Sequence, residues 1–300
     1  KYDGGIDPLF FALQAEALGP EAQCEEISEK LRHELNVKLT AKYFDNIAND
    51  LEPRIRDNIS LSKDSQSLQS LFQRKSNNTI IVIGAGPSLE QIGGSPLISS
   101  VNSDTIIVAV DAATLYLKNI GIRPDFVVTL DHRYELANLR FSERSDVGLV
   151  YSLTSESEII KAWSGKKYPF TINTNLLRKF TVDAESVGIE ALFCGGSVIH
   201  PAVDFAVKLG AENILLAGVD FSFPGGRTHA GWQNGELFKV DNVHQTSVLS
   251  VNGDRVETTP NMAGYKVELE RYIACNPKVS FYNLSLTGAK IANCPTLRET

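Results

Sequence analysis

From residue 78 onward, short β-branched apolar runs alternate with stretches of helical periodicity, and no other feature of the chain restricts its fold as much. The runs lie at 79–83, 105–110, 125–130, 148–151, 170–173, 190–193, 213–217 and 279–282. Each is strand-length and almost continuously apolar, which is how strands covered on both faces read. Helical patterns at 112–119, 197–209 and 262–275 separate several of them. Such alternation specifies an α/β chain, doubly wound around a mainly parallel, Rossmann-like sheet.

The first 75 residues have a different texture. Residues 25–36 and 39–58 place apolar side chains three and four apart among many charges, the amphipathic helix pattern. Residues 62–78 form a Ser-, Gln- and Asn-rich connection with a short helical stretch at 67–72. The reading is an N-terminal helical region over 1–75 followed by a nucleotide-binding catalytic domain over 76–300. Inside the second region, 222–259 is rich in Gly, Asn, Asp and His and has little periodicity. A polar stretch of that length in a compact domain reads as a functional lid, with a solvated hairpin excursion as the alternative.

Charge and cysteine usage remove several function classes. The formal charge is −7, whereas non-specific nucleic-acid binding needs a basic face. No apolar stretch approaches the roughly 18 residues that span a bilayer. The four cysteines, Cys24, Cys194, Cys275 and Cys294, fall in no C-x-x-C or zinc-type spacing. A reduced, cytoplasmic chain without a metal centre is the simplest reading. The sequence starts at Lys1 and its only methionine is Met262, so a longer parent polypeptide is also a reading of it.

Four motifs carry candidate chemistry. Gly84-Ala85-Gly86-Pro87-Ser88-Leu89 follows a strand and opens a helix, with Pro87 suited to the first helical position. Free amides there attract an anion, and Ser88 adds a hydroxyl. The third glycine of the dinucleotide fingerprint is replaced by Leu89, which disfavours NAD(P); a plain strand-to-helix turn is the bland alternative. Asp111 and Asp131 end strands, where ligands of open α/β sheets sit; there they would accept hydrogen bonds from ribose or hold Mg²⁺, although Asp111 reads equally well as a helix N-cap. Cys194-Gly195-Gly196-Ser197 repeats the logic of the first turn, again with an N-cap at Ser197 as the alternative. Finally, Asp220 lies just past a buried strand, and His229 lies in the polar stretch with the side chain of a base active near neutral pH. Asp241, His244, Arg227 and Lys239 share that stretch.

Together these motifs resemble the motility-associated-factor (Maf) flagellin glycosyltransferases, which share a domain with archaeal 6-hydroxymethylpterin diphosphokinase-like proteins. The matching residues are Ile83 to Leu89, Ala109-Val110-Asp111-Ala112-Ala113, Gly121 to Asp131, Gly195-Gly196-Ser197-Val198, and Gly218-Val219-Asp220-Phe221 with Thr228-His229. The resemblance runs from about residue 78 to 295. It implies a transferase that moves a nonulosonic acid, such as pseudaminic or legionaminic acid, from a CMP donor to Ser or Thr of flagellin or a similar protein acceptor, with no cofactor required. The core also resembles family 42 sialyltransferases, which use the same donor type. By that similarity Gly84, Gly86, Pro87 and Ser88 hold the phosphate side of CMP. Asp111 and Asp131 lie near ribose and sugar, and Gly195, Gly196 and Ser197 line the pocket. The sialyltransferase histidine base before the 262–275 helix corresponds here to Thr258 or Thr259, so that assignment does not transfer: His229, His244 or an acid serves as base, or the acceptor hydroxyl is activated differently, and the catalytic candidates are His229, Asp220 and Thr258. The alternatives are an ATP- and Mg²⁺-dependent pterin-type diphosphokinase and a non-catalytic nucleotide-binding module. A homo-oligomer, or an acceptor contact through the N-terminal helices, is a further expectation.

Overall fold

The computed structural model describes residues 46–72, 78–92, 105–132, 136, 139–172, 177, 180, 188–231 and 246–297. The expected helix at 25–36, the start of the one at 39–58, and Lys239, Asp241 and His244 lie outside the described residues. Among the described residues no helix is long and apolar enough to cross a membrane.

Eight strands form one sheet in the order β10-β7-β1-β2-β3-β4-β5-β6. They are β1 (Asn78–Ile83), β2 (Ile106–Val110), β3 (Phe126–Thr129), β4 (Gly148–Ser152), β5 (Lys167–Thr171), β6 (Glu190–Ala191), β7 (Ala211–Ala217) and β10 (Ser280–Asn283). Every neighbouring pair is parallel. Parallel strands cannot be joined by hairpins, and the crossovers that join them are right-handed. The chain winds outward from β1 to β6 and returns to β7 on the far side of β1, so its crossovers change faces there. Before the sheet stand α1 (Ala48–Leu61) and α2 (Gln69–Phe72). On the outward path lie α3 (Leu89–Ile92), α4 (Thr114–Asn119) and α5 (Ser157–Ala162); on the return path lie α6 (Ile199–Lys208) and α7 (Pro260–Cys275).

The apolar runs fill the core because they have no other place to go. Ile80, Val82, Ile83, Val108, Val127, Val128, Leu149 and Val150 have no exposed surface. Leu51 and Ile55 of α1 belong to the same buried cluster. Asn58 of α1 fixes that docking: its Nδ2 donates to the carbonyls of Leu153 (2.9 Å) and Ser155 (2.8 Å), and its Oδ1 accepts from Ser157 Oγ (2.9 Å).

Several expected boundaries move, each for a local reason. The sixth strand stops at Ala191 rather than 193, because the Phe193 amide donates to Asp204 Oδ2 at 2.8 Å instead of to a neighbouring strand. The helix expected at 197–209 begins at Ile199 with Val198 as its N-cap, so Ser197 is not the cap; its amide donates to the His200 ring at 3.1 Å. Asp111 opens a 3-10 turn, Asp111–Ala113, ahead of α4. Pro87 sits in a turn two residues before α3 rather than at its first position. The helix expected at 262–275 starts earlier, with Pro260 in the first turn and Thr259 Oγ accepting from the Met262 amide. The polar stretch 222–259 contains an antiparallel hairpin, β8 (Thr246–Leu249) and β9 (Arg255–Thr258), so that part of it is ordered strand.

Candidate active site

At the carboxyl end of β1 the glycines serve the fold. A Cβ on Gly84 would lie 2.5 Å from the Gly218 carbonyl oxygen, and one on Gly86 would lie 2.5 Å from Asp220 Oδ2. The Gly84 and Gly86 amides donate to the carbonyls of Ala217 and Gly218, both at 2.8 Å. The Ser88 amide donates to Asp220 Oδ2 at 2.8 Å, and the Ser88 hydroxyl donates to Asp220 Oδ1. Ser285 Oγ, just past β10, adds a third donor to Asp220 at 2.8 Å. Burial pushes the Asp220 carboxyl up from its usual range, while the serine hydrogen bonds pull it back. The amides the sequence offers to a phosphate are therefore satisfied inside the chain, and Asp220 is the tie that joins the ends of β1, β7 and β10.

The second glycine turn is likewise closed. The Gly196 φ is 103°, and a Cβ there would lie 2.5 Å from the Tyr265 ring; one on Gly195 would lie 2.5 Å from the Glu268 side chain. The Gly196 amide faces Cys194 Sγ at 3.4 Å. His200 locks this turn to α7. Its Nε2 lies 2.9 Å from the Tyr265 carbonyl, which can only accept, so Nε2 carries the proton and Nδ1 accepts from the Ser197 amide. Burial drives the imidazole down to about 4, which keeps it neutral in that tautomer at physiological pH.

Asp111 and Asp131 occupy the ends of β2 and β3. The Asp111 carboxylate accepts from Thr129 Oγ1 at 2.8 Å and from the Ala112 amide at 2.7 Å. The 3-10 turn that Asp111 opens has Val110 at its N-cap position, and the helix after it has Ala113 there. Burial raises the Asp111 carboxyl to about 7; the Thr129 and Ala112 bonds oppose the rise, and the charge of Asp131 adds to it. The Asp131 side chain is half-exposed, 3.7 Å from His132 Nδ1. Arg54 of α1 steadies this loop by donating to the His132 carbonyl at 2.5 Å and pairing with Glu156 at 2.8 Å. The Tyr265 phenol is pushed up by burial and then by the charges of Cys194 and Asp131. The second glycine turn and Tyr265 are in contact, and Tyr265 feels the Asp131 charge.

The remaining candidates divide. Thr258 has no exposed surface and its Oγ1 donates to the Phe221 carbonyl at 2.7 Å, so it joins the hairpin to the scaffold. His229 flanks the first turn, since the next amide, of Ala230, donates to the Ala85 carbonyl at 2.9 Å. Burial lowers the His229 imidazole, leaving it in the neutral form that a base requires. Sequence reasoning missed Thr129, His200, Tyr265 and Ser285. Thr129 lies in the Gly121–Asp131 motif without an assigned role, and no motif marks the other three; β3 pairing beside β2, α7 packing against α6 and β10 pairing with β7 bring them to the site. Among the described residues, no three His, Cys, Asp or Glu side chains gather in a metal-sized group.

A family model described as 6-hydroxymethylpterin diphosphokinase MptE-like matches residues 54–226. The 6-hydroxymethyl-7,8-dihydropterin pyrophosphokinase of Pyrococcus furiosus is 30% identical over 168 residues, covering 56% of this chain and 64% of that protein. The chain thus spans less than two thirds of that relative. Among solved structures, the Maf glycosyltransferase from Magnetospirillum magneticum superposes with a TM-score of 0.60 at 19% identity, over 82% of this chain and 38% of that one. The sialyltransferase CstII of Campylobacter jejuni aligns with a TM-score of only 0.32, at 14% identity over 75% of this chain and 90% of that one. The Maf match shows the fold, and the family match, which runs from α1 through the loop after β7, covers more than half of the sequence: the chain belongs to the 6-hydroxymethylpterin diphosphokinase MptE-like family.

Proposed function

We propose that this chain is a glycosyltransferase that carries a nonulosonic acid from a CMP donor to a serine or threonine hydroxyl of flagellin or a similar protein acceptor. The observation that carries this reading is the pair of acids at the ends of β2 and β3. Asp111 is buried and titrates near neutrality, and Asp131 stands half-exposed beside it. A group with a pKa near the working pH is the most effective general base. In the reaction, the Asp111 carboxylate takes the proton of the acceptor hydroxyl. The hydroxyl oxygen bonds to the anomeric carbon as the bond from that carbon to the phosphate oxygen breaks, and the electron pair leaves with CMP. Asp131 faces the sugar and ribose hydroxyls. The turn at Gly195, Gly196 and Ser197, with Tyr265 across it, forms the opposite wall, and Gly84, Gly86, Pro87 and Ser88 shape the floor. Holding donor and acceptor in register supplies most of the catalysis in such a site. His229 lies beside the first turn as a second proton acceptor. Asp220 and Thr258 support the site through bonds they already make.

A second reading is a pterin-type diphosphokinase, favoured by the Pyrococcus furiosus relative. Magnesium is bound by one or two carboxylates together with substrate phosphates, and Asp111 with Asp131 fits that requirement. The ion would neutralise phosphate charge, while the two acids hold it at the strand ends. Thermal-shift titrations with CMP, ATP and GTP, each with and without Mg²⁺, separate the readings, because a ligand of the folded state raises its apparent stability. Stabilisation by CMP without metal is the expected outcome. Stabilisation by ATP only when Mg²⁺ is present hands the assignment to the diphosphokinase, and indifference to all three nucleotides removes both.

A further inference from the structure

A cavity of about 340 Å³ opens beside the carboxyl ends of β10, β7 and β1. This is where the winding of the sheet reverses, the position at which open α/β sheets receive ligands. The crevice between β1 and β7 is filled by Asp220 and by the contact of Gly84 with Gly218. The cavity lies just outside it, and its volume is within the range of small-molecule sites. Gln91, Arg227 and Thr287 line it together with Asn252, Asp254 and Arg255 of the hairpin.

The chemistry of the wall is that of an anion receptor. The lining residues include two guanidiniums, those of Arg227 and Arg255, and one carboxylate, that of Asp254; Arg255 Nη1 also donates to the Ser247 carbonyl at 3.3 Å. Arg227 donates from Nη1 to Glu90 Oε2 at 2.7 Å, and its side chain is 48% exposed. A guanidinium has five N–H donors arranged to grip a phosphate or carboxylate in pairs, so Glu90 orients the fork without exhausting it. The Gly231 amide holds the other oxygen of Glu90 at 2.8 Å, which fixes the pair. The Thr287 hydroxyl is buried at the cavity and has no hydrogen-bond partner among the described residues. Buried polar groups are paired as a rule, and a bound acceptor supplies the partner that this one lacks.

We propose that this cavity, whose lining includes Pro87 of the first turn but neither Asp111 nor Asp131, is an oxyanion subsite that binds the phosphate or carboxylate of a small molecule through Arg227, Arg255 and the Thr287 hydroxyl. It goes beyond the glycosyltransferase reading and stands on the cavity itself.

Isothermal titration of the full chain with pyrophosphate and, separately, with citrate tests it. One of the two binds, and the tighter one tells whether phosphate or carboxylate is the natural group. Arg227→Gln weakens that binding about tenfold or more, as removal of a bidentate charged donor should. Arg255→Gln and Thr287→Val each weaken it by roughly fivefold. Lys161→Gln, at an exposed ion pair of α5, leaves it unchanged. The Arg255 and Thr287 variants leave the Glu90 contact intact, so they decide the matter even if loss of Arg227 loosens the loop. Absence of heat with either anion up to about 10 mM, which corresponds to negligible affinity, overturns the subsite, as does equal affinity across the three variants. Anion binding that persists in a chain indifferent to CMP sinks the transfer reading and keeps this one; a CMP response with no anion response does the reverse.

Discussion

At the scale of single residues, Asp111 is the buried acid on which the proposed transfer depends. Its carboxyl rises from 3.8 to about 7. Between those values the folded chain holds a proton that the unfolded chain has released, so stability falls as pH rises through that window. Asp111→Asn has no proton to lose. Its unfolding free energy, followed by denaturant titration at several pH values, is expected to decline less than that of the parent between pH 4 and 7. The same variant is expected to lower the transfer rate by about 100-fold or more and to abolish the rate inflection near neutrality. An unaltered pH–rate profile would remove Asp111 as the base. The identity of this residue is plain in the sequence, but its titration is not. That depends first on burial and then on Thr129 and Asp131, which come beside Asp111 only after β2 and β3 pair.

At the scale of elements, the two glycine turns show what a motif can conceal. Their spacing matches anion-binding turns, yet the space freed by each missing side chain is occupied by the chain itself: Gly218 backbone and Asp220 at one turn, Tyr265 and Glu268 at the other. Gly84→Ala therefore confronts a backbone carbonyl at 2.5 Å that cannot rotate away. It is expected to cost about 3 kcal/mol, at the high end for overpacking, by spreading the β1–β7 junction. Gly121→Ala, at φ 73° with open space around it, is expected to cost only about 1 kcal/mol of backbone strain. Chemical denaturation of the pair checks the difference, and equal losses would mean that the junction yields more easily than its geometry implies. Strand positions were legible because an apolar run of four to six residues has one stable home in a covered sheet. Helix starts were less so, because Ser197, a good cap by residue type, is pre-empted by the His200 ring.

At the scale of the whole molecule, α1 is continuous with the core. Leu51 and Ile55 are buried with the sheet residues, Asn58 binds the turn after β4, and Arg54 reaches the loop after β3. The texture change near residue 75 marks a change in secondary structure, and the packing of 46–61 crosses it. Asn58→Ala strips partners from the buried Leu153 and Ser155 carbonyls and the Ser157 hydroxyl. A loss of about 3 kcal/mol is expected from several unsatisfied groups. It should appear as one cooperative transition shifted to lower denaturant; an earlier separate transition for α1 would show instead that it docks without sharing the fold.

The sequence by itself determined the class of fold, the eight apolar strand segments, the acids at their ends and the glycine turns, because local periodicity and residue type act over a few neighbours. Tertiary structure alone decided strand order, and with it which donors each acid meets, which glycine amides are satisfied and which face of the Pro224–Gly226 loop meets the hairpin. Those outcomes depend on burial and hydrogen bonding between segments far apart in the chain, as Ser88 and Asp220 are at a separation of 132, and no local pattern encodes such pairings.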